Sequence, residues 1–256
     1  IAISKGRILE EGMNLLNLMG IDTIESMEDS RKLIYKTNNS NLELVIVRAA
    51  DVPTYVGNGA ADIGIVGKDT LVEYGANNIY IPLDLNISKC RMALACLPDC
   101  NPGPRIKVAT KYVKCATDYF IKKKKQVDII KLYGSMELAP ILGLADYIVD
   151  LVGSGMTLRA NGLKEVDSIF DVSAQLVTNK ASMKTKTESI ENIINAFEKI
   201  IQWEIMTLKT DDLRIDKIQE LSTPDEVRKE LPISENAANG IINSRRTLEN
   251  LLDGQE

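Results

Sequence analysis

The 256-residue chain contains no histidine, and this absence excludes several kinds of catalytic site. Ser-His and Cys-His nucleophile pairs need an imidazole base, and histidine-based metal sites need it as a ligand. An enzyme of this composition must rely on carboxylates, lysines, arginines, backbone dipoles and hard cations. Phosphate-centred substitution suits that inventory, because positioning and charge stabilisation carry most of the catalysis there.

The chain also has few cysteines, no long apolar run and no net positive charge. No apolar run approaches the roughly 20 residues of a membrane span, no secretory leader is visible, and a net charge of −5 argues against nucleic-acid binding. We therefore expect a cytoplasmic protein that acts on neither membranes nor nucleic acids. The cysteines lack CxxC spacing, which favours reduced thiols used in packing over metal ligands; they are Cys90, Cys96, Cys100 and Cys115.

What is present is typical of a globular protein, with 45% hydrophobic and 26% charged residues. The length suits one large domain or two small ones. Strand and helix patterns alternate, which predicts an α/β fold with mostly parallel sheets and ligands at the carboxyl ends of the strands. The predicted strands are 1–4, 42–47, 61–66, 90–96, 106–109, 127–132, 147–152 and 175–179, and the main predicted helices are 8–19, 51–58, 114–125 and 189–203.

The most informative stretch is residues 146–158, where an apolar strand carrying Asp150 runs into a turn and then a helix-capable segment. Gly155 lets the backbone approach a ligand closely, and Ser154 and Thr157 add hydroxyl groups. Free N–H groups of the following helix would point at an anion, and Asp150 could accept hydrogen bonds from ribose hydroxyls. The stretch fits a sugar-phosphate site, and it also fits an ordinary strand followed by a glycine turn.

A longer pattern resolves the ambiguity, namely Glu137-x5-Gly143-x-Ala145-x2-Ile148-x-Asp150-Leu151-x2-Ser154-Gly155-x-Thr157-Leu158. With it, the chain resembles the ATP phosphoribosyltransferase family over about residues 1 to 203. Other segments that agree are 4–10, 30–33, 51–55, 59–69, 109–112 and 131–140.

This resemblance implies a two-lobed α/β fold of the type II periplasmic-binding-protein kind, in which the lobes flank a cleft. The expected first lobe is about 1–88 plus 166–203, and the second lobe, with the phosphoribosyl site, is 89–165. It also implies the first step of histidine biosynthesis. N1 of the adenine of ATP attacks C1 of phosphoribosyl pyrophosphate (PRPP), and pyrophosphate leaves. Mg²⁺ accompanies the pyrophosphate, because this ion prefers hard oxygen ligands.

The resemblance assigns the second lobe to the ribosyl donor. Glu137 and Asp150 would receive the ribose hydroxyls and favour the positive charge that builds at C1. Four loop residues would hold the 5-phosphate through hydroxyl and backbone N–H groups; they are Ser154, Gly155, Thr157 and Leu158. For Asp150, the alternative is a turn-capping role.

The basic residues of the first lobe would serve the phosphates. Arg7 and Arg31 match positions expected near the nucleotide phosphates and the departing pyrophosphate, where a guanidinium can bind in a bidentate manner. Lys5, Gly6 and Arg48 are further candidates for binding the same anions. Solvated surface charge is the alternative for Arg7, Arg31 and Arg48, and no protein ligand is assigned to the metal.

Two positions depart from the family, since Gly153 and Met156 stand where relatives commonly carry polar residues. They keep a second function open, that of a two-lobed nucleotide or sugar-phosphate binding protein with little turnover.

The part beyond residue 203 changes character. It lacks the strands of the histidine-binding domain of long-form relatives, so the chain resembles the short form. That form is expected to assemble as a homo-oligomer and as a hetero-octamer with a regulatory subunit resembling histidyl-tRNA synthetase. The helical tail 204–256 resembles the N-terminal extension of a phenylalanine- or tyrosine-sensitive DAHP synthase. Three interpretations of the tail stay open: an engineered or accidental fusion, a naturally joined reading frame, or a helical appendage that promotes association.

Overall fold

The structure, a computed structural model, describes residues 1–28, 30–75 and 78–209. The chain divides into two compact units. Of the described residues, unit 1 comprises those within 1–65, 78–85 and 176–209, and unit 2 comprises those within 66–75 and 86–175. No helix among the described residues is long and apolar enough to cross a membrane. The predicted helices of the tail beyond residue 209, and its resemblance to DAHP synthase, lie outside the described residues.

Strands and helices alternate along most of the described chain. The strands are β1 Ala2–Ser4, β2 Ile34–Lys36, β3 Glu43–Val47, β4 Ile63–Gly67, β5 Ile79–Asp84, β6 Cys90–Cys96, β7 Ile106–Thr110, β8 Val127–Lys131, β9 Tyr147–Val152, β10 Lys164–Val172 and β11 Ala174–Asn179. The helices are α1 Arg7–Leu18, α2 Val52–Gly57, α3 Lys68–Tyr74, α4 Val113–Lys122, α5 Leu138–Ile141, α6 Met156–Ala160, α7 Lys180–Thr185 and α8 Thr187–Lys209.

The first sheet has the strand order β2-β3-β1-β4-β11-β5. Strand β1 pairs in parallel with both β3 and β4, so the carboxyl ends of these three strands share one edge. Helix α1 packs against β1 and α8, because its apolar residues recur on one face that buries Gly12, Leu15 and Leu16. Phe197 of α8 is fully buried.

Gly64 occupies a position in β4 that has no room for a side chain. A Cβ there would lie 2.7 Å from Val56, and 2.9 Å from both Val52 and Val177, all of them side-chain carbons. We expect Gly64→Ala to lower the free energy of unfolding by about 1–3 kcal/mol, because overpacking forces buried side chains to shift. Urea unfolding would measure this, with Gly103→Ala as the control, since a Cβ at Gly103 meets nothing within 4 Å. Equal stability of the two variants would contradict the packing argument.

The second sheet, in unit 2, has the order β10-β6-β9-β7-β8. Strand β7 pairs in parallel with β8 and β9, whereas β6 runs antiparallel to β9 and β10. One face packs against α4 through Val108, Val149 and Phe120. The other face carries small residues such as Ala93 and packs with Leu158 of α6.

The direction of Asp150 follows from this arrangement. Side chains alternate along a strand, so Asp150 shares the face of Ile148 and Val152. Both of those residues belong to the cluster that includes Leu158. In the register of β6 and β9, Asp150 stands opposite Ala93. The small partner leaves space above the sheet beside the carboxylate.

The predicted strands and the main predicted helices are confirmed, with shifted ends. Strands β2, β5 and β10 and helix α7 are not among the predicted elements. The three strands lie at sheet edges and present exposed residues, so they lack the buried apolar pattern by which strands are recognised. The expectation of mostly parallel sheets is wrong for the second sheet, because alternation along the chain does not reveal the antiparallel pairings of β6.

The expected lobe boundaries need correction in two places. Residue 166 falls inside β10, which pairs with β6 along Lys164–Val172, so 166–175 belongs to unit 2 rather than to the first lobe. The stretch 66–75 also belongs to unit 2. An unrecognised edge strand therefore accounts for the first of these differences.

None of the four cysteines forms a disulfide bond. Burial raises the pKa of Cys115 to about 12 and that of Cys96 to about 11. Both thiols therefore stay protonated at neutral pH, which agrees with a packing role.

Candidate functional site

The segment after β9, residues 153–158, forms a tight connection that we call the glycine loop. Gly155 adopts a left-handed conformation with φ 73° and ψ 10° as α6 begins. The Ser154 hydroxyl oxygen accepts a hydrogen bond from the Met156 N–H at 3.4 Å. Ser154 and Thr157 are exposed, while Leu158 is buried in the core of unit 2 and anchors the loop.

The glycine loop therefore presents two kinds of donor to solvent. Ser154 and Thr157 offer hydroxyl groups. The first N–H groups of a helix have no partner inside the helix, so those of Thr157 and Leu158 remain available to a ligand. The predicted phosphate-binding residues of this stretch are thus brought together on one short segment.

The two predicted carboxylates, Asp150 and Glu137, belong to the same unit as the glycine loop. Asp150 is partly buried, and its Oδ1 accepts the Leu151 N–H at 2.8 Å. Burial raises the pKa of Asp150, the Leu151 N–H and the Lys111 ammonium oppose that rise, and the charges of Glu137 and Asp69 add to it. Glu137 immediately precedes α5 and is partly exposed. The charges of Glu137, Lys111 and Asp69 therefore all act on Asp150.

Asp69 and Tyr112 form a polar contact that sequence reasoning did not assign. The Tyr112 hydroxyl donates to Asp69 Oδ2 at 2.8 Å, and both residues are buried. Burial, together with the Asp69 charge, raises the pKa of Tyr112 far above its usual value, so the hydroxyl remains a donor. The signal for both residues was their presence in the family segments 59–69 and 109–112.

Lys111 was also missed as a site residue. It follows β7, and its Nζ lies 4.8 Å from the centre of the Tyr112 ring. The ammonium supplies positive charge close enough to act on the Asp150 carboxylate. Within the residues that the structure describes, no group of three Asp, Glu, His or Cys side chains could hold a metal by itself.

The predicted basic residues lie at one edge of the first sheet. Lys5 and Arg7 follow β1 and Arg48 follows β3, and these parallel strands end together at the pair Ser4 and Val47. The Lys5 N–H donates to the Val47 carbonyl at 3.0 Å. We call the carboxyl-end edge with Lys5, Arg7, Arg31 and Arg48 the basic edge.

Arg31 lies at the basic edge because it precedes a strand that starts there, whereas Lys5 and Arg48 follow strands that end there. It precedes β2, which runs antiparallel to β3 with Ile34 opposite Val45. The Ile46 N–H donates to the Leu33 carbonyl at 2.8 Å. This register continues toward Arg48 and places Arg31 at the same end of the sheet. Topology thus joins residues that are distant in sequence.

Gly6 and Arg7 show how the basic edge is built. Gly6 has φ 88° and ψ −149° at the start of α1, a conformation that essentially only glycine adopts. Arg7 makes a 3.1 Å ion pair with Glu11, but its side chain is 53% exposed. Such a helix-surface pair contributes only about 0.5 kcal/mol, so an anion could compete for the guanidinium. Lys5, Arg31 and Arg48 are exposed as well.

Comparison with known proteins supports the resemblance. The family model for ATP phosphoribosyltransferase matches residues 48–199. The chain is 55% identical over 207 residues to the ATP phosphoribosyltransferase of Methylobacillus flagellatus, covering 78% of this chain and 97% of that protein. It is 57% identical over 203 residues to an ATP phosphoribosyltransferase of Neisseria meningitidis, covering 77% of this chain and 94% of the relative.

A solved structure agrees with the fold. The ATP phosphoribosyl transferase (HisG:HisZ) complex from Thermotoga maritima contains a chain that matches with a TM-score of 0.70 and 33% identity. The match covers 78% of this chain and 97% of that one. The expected two-domain α/β fold is thereby confirmed. On these grounds the chain belongs to the ATP phosphoribosyltransferase family.

Proposed function

We propose that the chain transfers the phosphoribosyl group of PRPP to N1 of ATP and releases pyrophosphate, the first step of histidine biosynthesis. The observation that carries this proposal is the complete donor-site set in unit 2, held by a chain that covers 97% of a 55% identical ATP phosphoribosyltransferase. In that set the glycine loop offers hydroxyl and N–H donors, and Asp150 and Glu137 offer carboxylates. An enzyme without histidine needs such groups for electrostatic catalysis.

In this proposal the glycine loop binds the 5-phosphate of PRPP. The hydroxyls of Ser154 and Thr157 donate to phosphate oxygens, and the N–H groups of Thr157 and Leu158 complete the site. Gly155 allows the close backbone approach, because glycine has no side chain and readily adopts the left-handed φ of 73° that the loop requires here.

The carboxylates act on the ribose. Asp150 and Glu137 accept hydrogen bonds from ribose hydroxyls and thereby orient C1 for attack by the adenine N1. As the bond from C1 to pyrophosphate lengthens, positive charge grows on the sugar, and the two carboxylates stabilise it. Lys111 lies close enough to oppose the rise in the pKa of Asp150 that burial causes, and it thereby favours the ionised form that this role requires.

The basic edge serves the phosphates of ATP and the pyrophosphate. Arg7 and Arg31 are its proposed catalytic members, since a guanidinium offers paired N–H donors to phosphate oxygens as their negative charge increases. Lys5 and Arg48 add positive charge at the same edge. Gly6 shapes the turn between β1 and α1 so that the side chains on either side of it reach the solvent.

Mg²⁺ is the proposed cofactor, and the donor set suits it. Diphosphate and carboxylate oxygens are the hard ligands that Mg²⁺ prefers. Among the described residues no group of side chains could hold a metal by itself, so the ion would arrive with the pyrophosphate group of PRPP, and Asp150 and Glu137 could add carboxylate oxygens. When bound, the ion would neutralise diphosphate charge.

We also propose that this chain assembles with a regulatory subunit resembling histidyl-tRNA synthetase as a hetero-octamer. The similarity of its fold to a chain of the Thermotoga maritima HisG:HisZ complex supports this proposal.

A third function, assembly driven by the tail, remains a separate proposal, because 210–256 lies outside the described residues. Light scattering on the full chain and on a chain ending at residue 205 would measure the contribution of the tail.

A coupled assay tests the enzymatic proposal directly. Pyrophosphate release would be followed with ATP, PRPP and Mg²⁺ together and with ATP or PRPP omitted in turn, and the product would be identified by mass spectrometry. We expect release only when both substrates are present, with formation of N1-(5-phosphoribosyl)-ATP. Release in the absence of ATP would indicate hydrolysis of PRPP instead.

The second candidate function is ligand binding without turnover. Met156 is 67% exposed in the glycine loop and adds no hydroxyl, and Gly153 adds no side chain. This reading predicts that calorimetry detects PRPP binding while the assay detects no pyrophosphate above a protein-free blank.

Gly155 offers a focused test of the glycine loop. A Cβ there would lie 3.1 Å from Nη1 of Arg159, and φ is in the left-handed region. We expect Gly155→Ala to raise KM for PRPP about tenfold, because the strained loop moves its donors by a fraction of an ångström. KM for ATP should change less than twofold. Gly103→Ala serves again as the control, and a Gly155→Ala enzyme with unchanged kinetics would argue against a phosphate site in this loop.

A further inference from the structure

Arg91 connects the glycine loop to β10, the edge strand of the second sheet. It stands on β6, which lies between β9 and β10. Its Nε and Nη2 donate to the two carboxylate oxygens of Glu165 at 2.7 and 2.5 Å, and its Nη1 donates to the Gly153 carbonyl at 3.0 Å. One guanidinium therefore binds a carboxylate in a bidentate manner and the first residue of the loop at the same time.

Gly153 needs such a contact because packing does not hold it. It is exposed, it has no side chain, and a Cβ built on it would meet nothing within 4 Å. At the other end of the glycine loop, Leu158 is buried. The hydrogen bond from Arg91 supplies at Gly153 the anchor that burial supplies at Leu158.

The charges around Arg91 indicate that it positions the glycine loop and does not bind a phosphate itself. Glu165 neutralises it with two hydrogen bonds, and Asp171 stands beside it in the register of β10 and β6. The side chains of Arg91 and Glu165 are 34% and 27% exposed. A guanidinium already compensated by carboxylates attracts a phosphate far less than the exposed arginines of the basic edge.

We propose that Arg91, oriented by Glu165, is a positioning residue for PRPP: it fixes the Gly153 carbonyl and so aims the hydroxyl and N–H donors of the glycine loop at the 5-phosphate. This inference rests on the proposed function, since it takes the loop to be the phosphate site. It assigns a purpose to an ion pair that lies outside the family pattern quoted above. It also explains how a loop that begins with glycine keeps a defined direction.

The test compares Arg91→Lys and Glu165→Gln with the unmodified full chain. Lysine keeps the charge but cannot bind Glu165 in a bidentate manner while reaching Gly153. Glutamine keeps the size of Glu165 but removes the charge that orients the guanidinium. For both variants we expect KM for PRPP to rise about tenfold, with kcat and KM for ATP within about twofold, since substrate binding is lost rather than chemistry.

Arg105 provides a matched control. It makes the same kind of bidentate pair with Asp128, at 3.0 and 2.5 Å, in the same unit. Arg105→Lys should leave all kinetic constants unchanged. Thermal unfolding of every variant would accompany the kinetics, because a merely structural role of Arg91 predicts a lower Tm with KM for PRPP unchanged.

The outcomes separate the inference from the function on which it rests. If the unmodified chain forms no N1-(5-phosphoribosyl)-ATP, the proposed function fails. If it turns over and Gly155→Ala raises KM for PRPP, but Glu165→Gln and Arg91→Lys do not, only the positioning role is overturned. Should Arg91→Lys fail to fold, Glu165→Gln alone decides, and an unchanged KM for PRPP in that variant overturns the inference.

Discussion

Replacing Asp150 by asparagine is expected to lower kcat/KM for PRPP by roughly 10²–10³-fold, which is typical for the loss of one preorganised electrostatic group. Asparagine has nearly the same shape and can still accept the Leu151 N–H that now bonds Asp150 Oδ1 at 2.8 Å. It lacks the negative charge that, in the proposed mechanism, stabilises the developing cation at C1. Steady-state kinetics with varied PRPP measure the effect. Turnover within twofold of the unmodified enzyme would remove Asp150 from the catalytic site.

The same variant should not lose stability. Burial raises the pKa of Asp150 in the folded state, so folding disfavours its ionised form. A carboxylate whose pKa is higher in the folded than in the unfolded state lowers the free energy of unfolding at pH values above the folded pKa. This destabilisation disappears as the pH falls below the unfolded pKa. At pH 7 we therefore expect Asp150→Asn to unfold at an equal or higher urea concentration, and the difference should shrink toward pH 4.

A loss of stability on removing the charge would mean that Asp150 is held by favourable ionic contacts, as a structural residue would be. The predicted combination of lower activity with equal or higher stability is what a functional carboxylate in a partly buried position produces.

Alanine at Arg7 or Arg31 is expected to lower kcat by about 10²-fold each, because every guanidinium removed leaves phosphate charge unstabilised in the transition state. Lysine at either position should recover part of the rate, since it restores charge without the bidentate geometry. Neither variant should unfold more easily, because Arg7 is half exposed in a surface ion pair with Glu11 and Arg31 is exposed. Single-turnover measurements would separate the chemical step from product release.

Lys36 is the matched control for the basic edge. It is exposed on β2 and pairs with Glu43 at the opposite end of β3. Lys36→Ala removes one positive charge from the same strand pair, so it reports the effect of net charge alone. A decrease in kcat comparable to that of Arg31→Ala would show that position at the basic edge does not matter.

The sequence predicts unit 2 more fully than unit 1, and the reason is local spacing. Asp150, Ser154, Gly155 and Thr157 lie on one strand and the turn after it, so a strand followed by a helix start is enough to bring them together. The direction of Asp150 follows from strand alternation. The charges of Lys111 and Asp69 also act on Asp150. Both residues are distant from β9 in the sequence, so spacing along the chain does not predict that they lie near it.

The basic edge shows where sequence reasoning ends. Lys5, Arg31 and Arg48 meet only because β1 and β3 run parallel and β2 returns antiparallel beside β3. Strand β2 is a three-residue edge strand with one buried residue, too short for a recognisable period. The Arg91–Glu165 pair is similarly hidden, since it depends on the register of β10, another edge strand. Long-range pairing therefore marks the limit of prediction from sequence.

The most direct test of the central claim is a crystal structure of the full chain with PRPP and Mg²⁺. The account predicts the 5-phosphate within hydrogen-bond distance of the Ser154 and Thr157 hydroxyls and of the Thr157 and Leu158 N–H groups, with the ribose hydroxyls on Asp150 and Glu137. A 5-phosphate bound at the basic edge, or a glycine loop left empty at saturating PRPP, would contradict it.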